Sequence, residues 1–205
     1  MNIKMSTHII LSLFDYTGNW SRPYREAGFE IIQVDEKLGQ DILTWDYSAV
    51  DDVYGVLAAP PCPMFSFCRT NAKIPRDLNR GMVMVKKTLE IIWHFQYGIK
   101  KDVQKYSPLK FWALENVNKG MLKWFLGKPA FVFNPYDFGD DYKKETALWG
   151  CFKNPVKTPT KCSKVKFDAM ASRDIHAEYF GELDRKTRRS ITPLGFAYAF
   201  FKANH

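Results

Sequence analysis

No apolar run in this 205-residue chain approaches the roughly 18 residues needed to cross a bilayer, and the longest, Ile9–Phe14, has the length of a strand. Neither a membrane-spanning segment nor a membrane partner is therefore expected. Cysteine is sparse: Cys62, Cys68, Cys151 and Cys162 form no Cys-x-x-Cys pair and lack histidines at zinc-site spacing, so no metal centre is expected. No secretory leader is legible ahead of them, which implies reduced thiols and a cytoplasmic protein. Internal repeats and low-complexity tracts are missing as well, which excludes solenoids and disordered arrays. The length suits one domain over residues 1–205 and would cramp a two-domain enzyme.

What is present is globular and rich in rings: 46% of residues are apolar, 25% charged and 16% aromatic, with 16 Phe, 10 Tyr and 6 Trp. Thirty Lys and Arg against 22 Asp and Glu leave a formal charge of +8, which favours a polyanionic partner such as nucleic acid. Strand-like runs at Ile9–Phe14, Glu30–Asp35 and Val53–Ala59 alternate with longer amphipathic stretches. Leu78, Met82, Val85, Leu89, Ile92 and Phe95 recur at helical spacing and predict a helix from Arg76 to Gly98, and Phe111–Val117 and Phe131–Phe138 supply further strands. This alternation predicts an α/β fold: a Rossmann-like, mostly parallel sheet with helices on both faces. From residue 150 to 185 the character changes to a basic, loop-rich insertion in which Lys153, Lys157, Lys161, Lys164 and Lys166 stand among Pro155, Thr158, Pro159 and Thr160. Arg185–Arg189 forms a second basic cluster, and Leu194–Phe201 reads as a closing helix with Pro193 in its first turn.

The chemistry gathers at strand ends. Phe14, Tyr16, Thr17, Gly18 and Asn19 follow the first strand and precede a helical pattern, where a glycine lets the backbone approach a ligand closely. Asp35 closes the second strand about 17 residues after Gly18, a position from which a carboxylate accepts hydrogen bonds from a ribose diol, and Asp41 follows within reach of a purine amino group. Pro60 and Pro61 stiffen the loop that carries Cys62 off the carboxyl end of a buried strand, which is where ligands sit in open α/β sheets. Glu115, with Asn116 and Val117, ends the strand that starts at Phe111, so its carboxylate emerges at the same sheet edge if the strands are parallel. The plain alternatives are a structural cysteine and solvated strand-end acids.

Pro60-Pro61-Cys62-Pro63-Met64-Phe65-Ser66 and Glu115-Asn116-Val117, in that order and about 50 residues apart, closely resemble the two hallmark catalytic motifs of the cytosine-C5 methyltransferases. Leu13–Asn19 resembles that family's cofactor loop, and Asp35 with Gln40-Asp41-Ile42 its ribose- and adenine-contacting residues; the likeness covers residues 9 to about 120. It implies a class I methyltransferase fold, S-adenosylmethionine as cofactor, with Pro60 beside it, and a cytosine in DNA as substrate. It implies a mechanism too: the Cys62 thiolate adds to C6 of the base, Glu115 donates to N3, and C5 becomes nucleophilic enough to take the methyl group. Pro61, Ser66, Arg69, Val117 and Thr146 would contact the substrate, and Arg69 would assist the thiol.

The second half departs from the pattern. The family's Gln-x-Arg-x-Arg strand is replaced by Tyr142-Lys143-Lys144-Glu145-Thr146-Ala147-Leu148-Trp149, in which Lys144 and Thr146 are the candidate substitutes. Arg188–Pro193 resembles a later Arg-x-Leu-Thr motif, no final cofactor motif is legible, and residues 150–185 are too short for a target-recognition lobe. Weak sequence preference and a phage or mobile-element source are what such a compact, basic member implies. Three other readings stay open: the same chemistry on a free cytosine nucleotide, transfer of a group other than methyl, and an idle nucleic-acid-binding relative.

Overall fold

The computed structural model describes residues 8–69, 72–98, 108–162 and 185–205, without the side chains of Arg185 and Lys186. Six strands, β1 (Ile9–Leu13), β2 (Glu30–Val34), β3 (Val53–Ala58), β4 (Phe111–Val117), β5 (Phe131–Phe133) and β6 (Thr146–Cys151), form one sheet in the order β2-β1-β3-β4-β6-β5. The pairs β1·β2, β1·β3 and β3·β4 are parallel, while β6 runs antiparallel to β4 and β5. The helices are α1 (Arg22–Glu26), α2 (Leu78–Tyr97), α3 (Lys123–Leu126), α4 (Arg185–Ser190) and α5 (Leu194–Ala203).

Strand parity explains why both faces are covered. Ile10, Leu57, Phe111, Ala113 and Leu148 point to one side and pack on Tyr24 of α1 and on Phe196, Ala197 and Phe200 of α5. Their neighbours Leu11, Leu13, Val56 and Ala58 point to the other and pack on Ile91, Ile92 and Phe95 of α2. Strands buried on both faces read as continuous apolar runs, which is the pattern that marked β1 and β3. Gly55 is part of this packing: a Cβ there would collide with the ring of Phe111, its partner across the sheet.

Several boundaries differ from the sequence reading. The run Phe131–Phe138 is a strand only to Phe133; Pro135 then opens a 3₁₀ turn, Pro135–Phe138, closed by a reciprocal Asn134–Asp137 cap. The first strand stops at Leu13, because Phe14 turns to φ 61°, and the next two end at Val34 and Ala58 rather than Asp35 and Ala59. The long helix begins at Leu78, with the Asp77 side chain accepting from Arg80 N, and ends before Gly98. Pro193 caps the last helix from outside rather than lying in its first turn, and the helix runs on to Ala203. Strand β6 was absent from the strands read from the apolar runs, although it overlaps the Tyr142–Trp149 segment that stands in the place of a strand of the resembled family. Residues 152–162 of the basic insertion carry no regular structure, and its remainder to 184 lies outside the described residues. No helix among the described residues is long and apolar enough to cross a membrane.

The chain runs from β1 outward to β2 and then crosses back to place β3 on the other side of β1. The carboxyl ends of β1 and β3 therefore flank a topological switch point, the crevice in which open α/β sheets bind their ligands.

Candidate active site

The loop leaving β1 is built around a buried carboxylate. Asp15 Oδ2 accepts from Ser12 Oγ at 2.8 Å, Ser21 Oγ at 3.1 Å and Ser21 N at 3.3 Å, and its backbone carbonyl accepts from Gln33 Nε2 at 2.7 Å. Burial pushes the Asp15 carboxyl up, against the pull of those donors. Gly18, at φ 70°, turns the chain so that its N–H reaches the Asp15 carbonyl, a conformation that side-chain-bearing residues rarely adopt. Phe14, Tyr16 and Thr17 stay half-exposed along the crevice, whereas Asn19 is buried and donates to the Thr192 carbonyl at 3.4 Å. The segment before α5 thereby closes the crevice from the far end of the chain. Lys37 reinforces this closure, bonding Thr187 Oγ1 of α4 and lying 5.1 Å over the Tyr16 ring.

At the end of β2, Asp35 Oδ1 accepts from Lys37 N at 2.9 Å, and Oδ2 accepts from none of the described residues. Asp41 is exposed and caps Leu43 N. Ile42 departs from expectation: it is 4% exposed and belongs to the core with Leu13 and Val34, so its side chain is spent on packing and presents no surface to an adenine.

Cys62 sits in a loop held from four sides. Ala59 N donates to the Leu13 carbonyl at 3.0 Å, which locks the start of the loop to β1. Asn116, fully buried on β4, donates through Nδ2 to the Pro60 carbonyl at 2.9 Å and accepts from Val117 N at 3.0 Å. Pro60 is buried under this bond, while Pro61 faces solvent. After Cys62 the chain turns tightly, Phe65 N and Ser66 N both donating to the Cys62 carbonyl at 3.0 Å. Arg76, just before α2, then donates to the Met64 carbonyl at 2.6 Å and to the Ser66 carbonyl at 3.0 Å. Gly81 makes room for this loop against α2: a Cβ there would lie 2.9 Å from the Phe65 ring and 3.0 Å from Met64 Cβ. Finally Phe67 N donates to the Lys119 carbonyl and Met121 N to the Phe65 carbonyl, joining the Cys62 loop to the loop that follows β4.

The Glu115 carboxylate acts on Cys62. Burial raises the Cys62 thiol above its ordinary value, and the Glu115 carboxylate raises it further; Lys144 and Arg189 pull it down. Burial likewise raises Glu115, against the opposing pull of Lys144. Because β4 is parallel to β3, the carboxylate does leave the sheet at the edge that carries Cys62. Thr146, across from Val117 on β6, lies on the Glu115 face of the sheet and is 2% exposed, its hydroxyl donating to the Lys144 carbonyl at 2.7 Å. Arg69 is placed otherwise than expected. Its guanidinium donates to the Ile74 carbonyl at 2.7 Å, and the cations acting on the thiol are Lys144 and Arg189. Ser66 Oγ accepts from Cys68 N at 3.2 Å, so this hydroxyl shapes the loop.

Four residues of the site, Asp15, Arg76, Lys144 and Arg189, were missed or only brushed by the sequence reading. A carboxylate flanked by Ser12 and Ser21 was a usable signal for the first; the other three depend on contacts across 10 or more residues. Among the described residues no three His, Cys, Asp or Glu side chains converge as for a metal ion.

No family model matches the chain. A curated protein, lysine-specific histone demethylase 1 homolog 2 of Arabidopsis thaliana, is 31% identical over 110 residues, which are 54% of this chain and 14% of that protein. The chain thus spans about one seventh of the length of the relative it matches.

Proposed function

We propose that this chain transfers a methyl group from S-adenosylmethionine to C5 of cytosine in DNA through a covalent adduct with Cys62. The observation that carries the reading is the placement of Cys62 and Glu115, both partly buried, at the carboxyl ends of the neighbouring parallel strands β3 and β4, with the Glu115 carboxylate acting on the thiol.

The residues beside the switch point fit the cofactor. Asp35 has an unengaged carboxylate oxygen for a ribose hydroxyl, Asp41 stands at the open rim for a purine amino group, and Phe14, Tyr16 and Thr17 line the approach. When bound, S-adenosylmethionine supplies an electrophilic methyl group.

The protein's own work is on the pyrimidine. Glu115, raised by burial, is suited to arrive protonated and to give that proton to N3. Once neutral, it no longer raises the Cys62 thiol, so protonated Glu115 and thiolate Cys62 are mutually favourable, with Lys144 and Arg189 favouring the thiolate as well. Attack of Sγ on C6 then places electron density at C5 and opens it to alkylation. As C5 gains the methyl group the sulfonium S–CH3 bond breaks and the donor departs as a neutral thioether; water then takes the C5 proton, the C5–C6 double bond re-forms as Sγ leaves as thiolate, and N3 returns its proton to Glu115. Asn116 positions the nucleophile through the Pro60 carbonyl without touching the base.

The test uses an oligonucleotide whose cytosine carries fluorine at C5, where no proton is left to remove. Incubated with labelled cofactor, the wild-type chain should form a denaturation-resistant protein–DNA adduct carrying the label, and Cys62→Ser should form none. Absence of the adduct, together with no calorimetric heat on addition of the cofactor, would remove the reading.

A further inference from the structure

The loop that carries Cys62 does not end in a buried strand; five residues on it emerges as an aromatic ledge. Phe67 is 42% exposed and Trp124 of α3 64% exposed, and their rings meet in a tilted pair with centroids 5.7 Å apart. Exposed large rings that pack on one another, rather than standing singly, mark a surface suited to a partner. The ledge is fixed to the site by backbone: Phe67 N donates to the Lys119 carbonyl, Met121 N to the Phe65 carbonyl, and Ser66 bridges Gly120. Gly120 is needed for that close approach, since a Cβ there would lie 3.0 Å from Val117 Cγ2 and 3.1 Å from the Phe65 carbonyl.

The charge near the rings is mostly positive. Lys119, Lys123 and Lys128 are all exposed, and the acidic neighbour is Glu145, 3.8 Å from Lys119 in a surface pair of little worth. Within the basic insertion, Lys157 is already engaged at 2.8 Å by the Asp137 carboxylate.

We propose that Phe67 and Trp124, with Lys119, Lys123 and Lys128, form a nucleic-acid docking ledge on which an unpaired base next to the target cytosine stacks while the lysines hold the strand's phosphates. The inference rests on Cys62 being the nucleophile, which sets the side from which substrate arrives. Exposed aromatics flanked by cations are how proteins grip single-stranded segments irrespective of sequence, because every base offers a π face. A ledge of this kind serves a polymer, since a mononucleotide bound at Cys62 would leave it bare.

The experiment measures anisotropy of a fluorescein-labelled, cytosine-containing oligonucleotide, single-stranded and duplex, with the full chain. Phe67→Ala/Trp124→Ala should weaken binding about tenfold or more, whereas Trp124→Phe, which keeps a ring, should stay within about threefold of wild type. Lys123→Glu should reduce the slope of log affinity against log salt by about one. Thermal unfolding midpoints of all variants should match wild type, because the altered side chains are exposed. In parallel, methyl transfer to the oligonucleotide should fall in the double variant while transfer to free cytidine nucleotide, however slow, is unchanged. Wild-type chain that fails to bind the oligonucleotide, or a double variant that binds within twofold of wild type, overturns the ledge. Ledge-dependent binding without any methyl transfer would instead sustain the ledge and discard the methyltransferase reading.

Discussion

If Glu115 is the proton donor of the proposed mechanism, replacing it separates two effects that the wild type combines. Glu115→Gln keeps a hydrogen-bonding group of the same shape yet has no proton to give, so methyl transfer should fall by about 10²–10⁴. At pH values where the wild-type carboxylate is ionised, the same substitution removes the negative charge that raises Cys62, so the thiol should become more acidic there. The pH profile of iodoacetamide alkylation at Cys62 reports this directly. A faster-reacting thiol in a nearly inactive variant is the expected combination, and an unchanged alkylation profile would show that the two groups do not share a pocket. A second buried acid has no evident part in the chemistry. Asp140 is 6% exposed, its Oδ2 accepts no hydrogen bond, and burial lifts its pKa from 3.8 to about 6, with the Gly195 N–H opposing. A carboxyl raised on folding costs nothing below its unfolded value, where both states are protonated, and the cost grows as pH rises through the window to the folded value. The native state should therefore lose stability between pH 3.8 and about 6, by roughly 2–3 kcal/mol from this residue. Asp15 and Glu115 are raised as well and act with the same sign. Asp140→Asn should flatten the slope and stabilise the chain at pH 7, as read by urea unfolding across that range.

Between residue and fold stands the loop from Ala59 to Phe67, which has no regular structure and is nevertheless held by β1, β4, the start of α2 and the loop before α3. Arg76 is the strongest single tie, because one guanidinium reaches two carbonyls at once. Its loss should leave two carbonyls without their charged donor and let Cys62 wander. We expect Arg76→Ala to lower kcat by about 10–100-fold, since small displacements of a reacting group are expensive, while cofactor affinity measured by calorimetry stays put. Arg76→Lys should recover little, for an ammonium cannot reproduce the fork. A loss confined to KM would mean that the loop holds substrate and that Cys62 is placed without it. The turn Pro135–Phe138 and strand β6 belong to the same scale: together they carry Lys144 and Thr146 back to the edge of β4, which the apolar pattern of that region did not disclose.

For the molecule as a whole, a formal charge of +8 predicts that activity on a polymer is limited by phosphate contacts. Transfer to an oligonucleotide should fall steeply between about 50 and 200 mM salt, because each neutralised phosphate releases counterions, and transfer to a mononucleotide should barely respond. A flat profile with the oligonucleotide would show that the charge serves another purpose. The α/β class, the parallel strands β1 to β4, the covering of both faces and the strand-end positions of Asp35, Cys62 and Glu115 were all legible in the sequence. These features follow from local rules: apolar runs buried on two faces, proline stiffness, and the exit of chemistry at carboxyl ends of strands. Legibility failed where a side chain's role is set by residues far along the chain. Ile42 and Asp41 are neighbours of similar promise in sequence, yet packing against α2 and β1 takes Ile42 into the core and leaves Asp41 at the rim. Arg69 and Arg189 are equally basic, and the position of α4 next to the closed end of the crevice brings the second, not the first, to bear on Cys62. Asn19 meets the Thr192 carbonyl 173 residues away. Such pairings come from the docking of helices on a finished sheet, which burial of the whole core decides and no local propensity encodes.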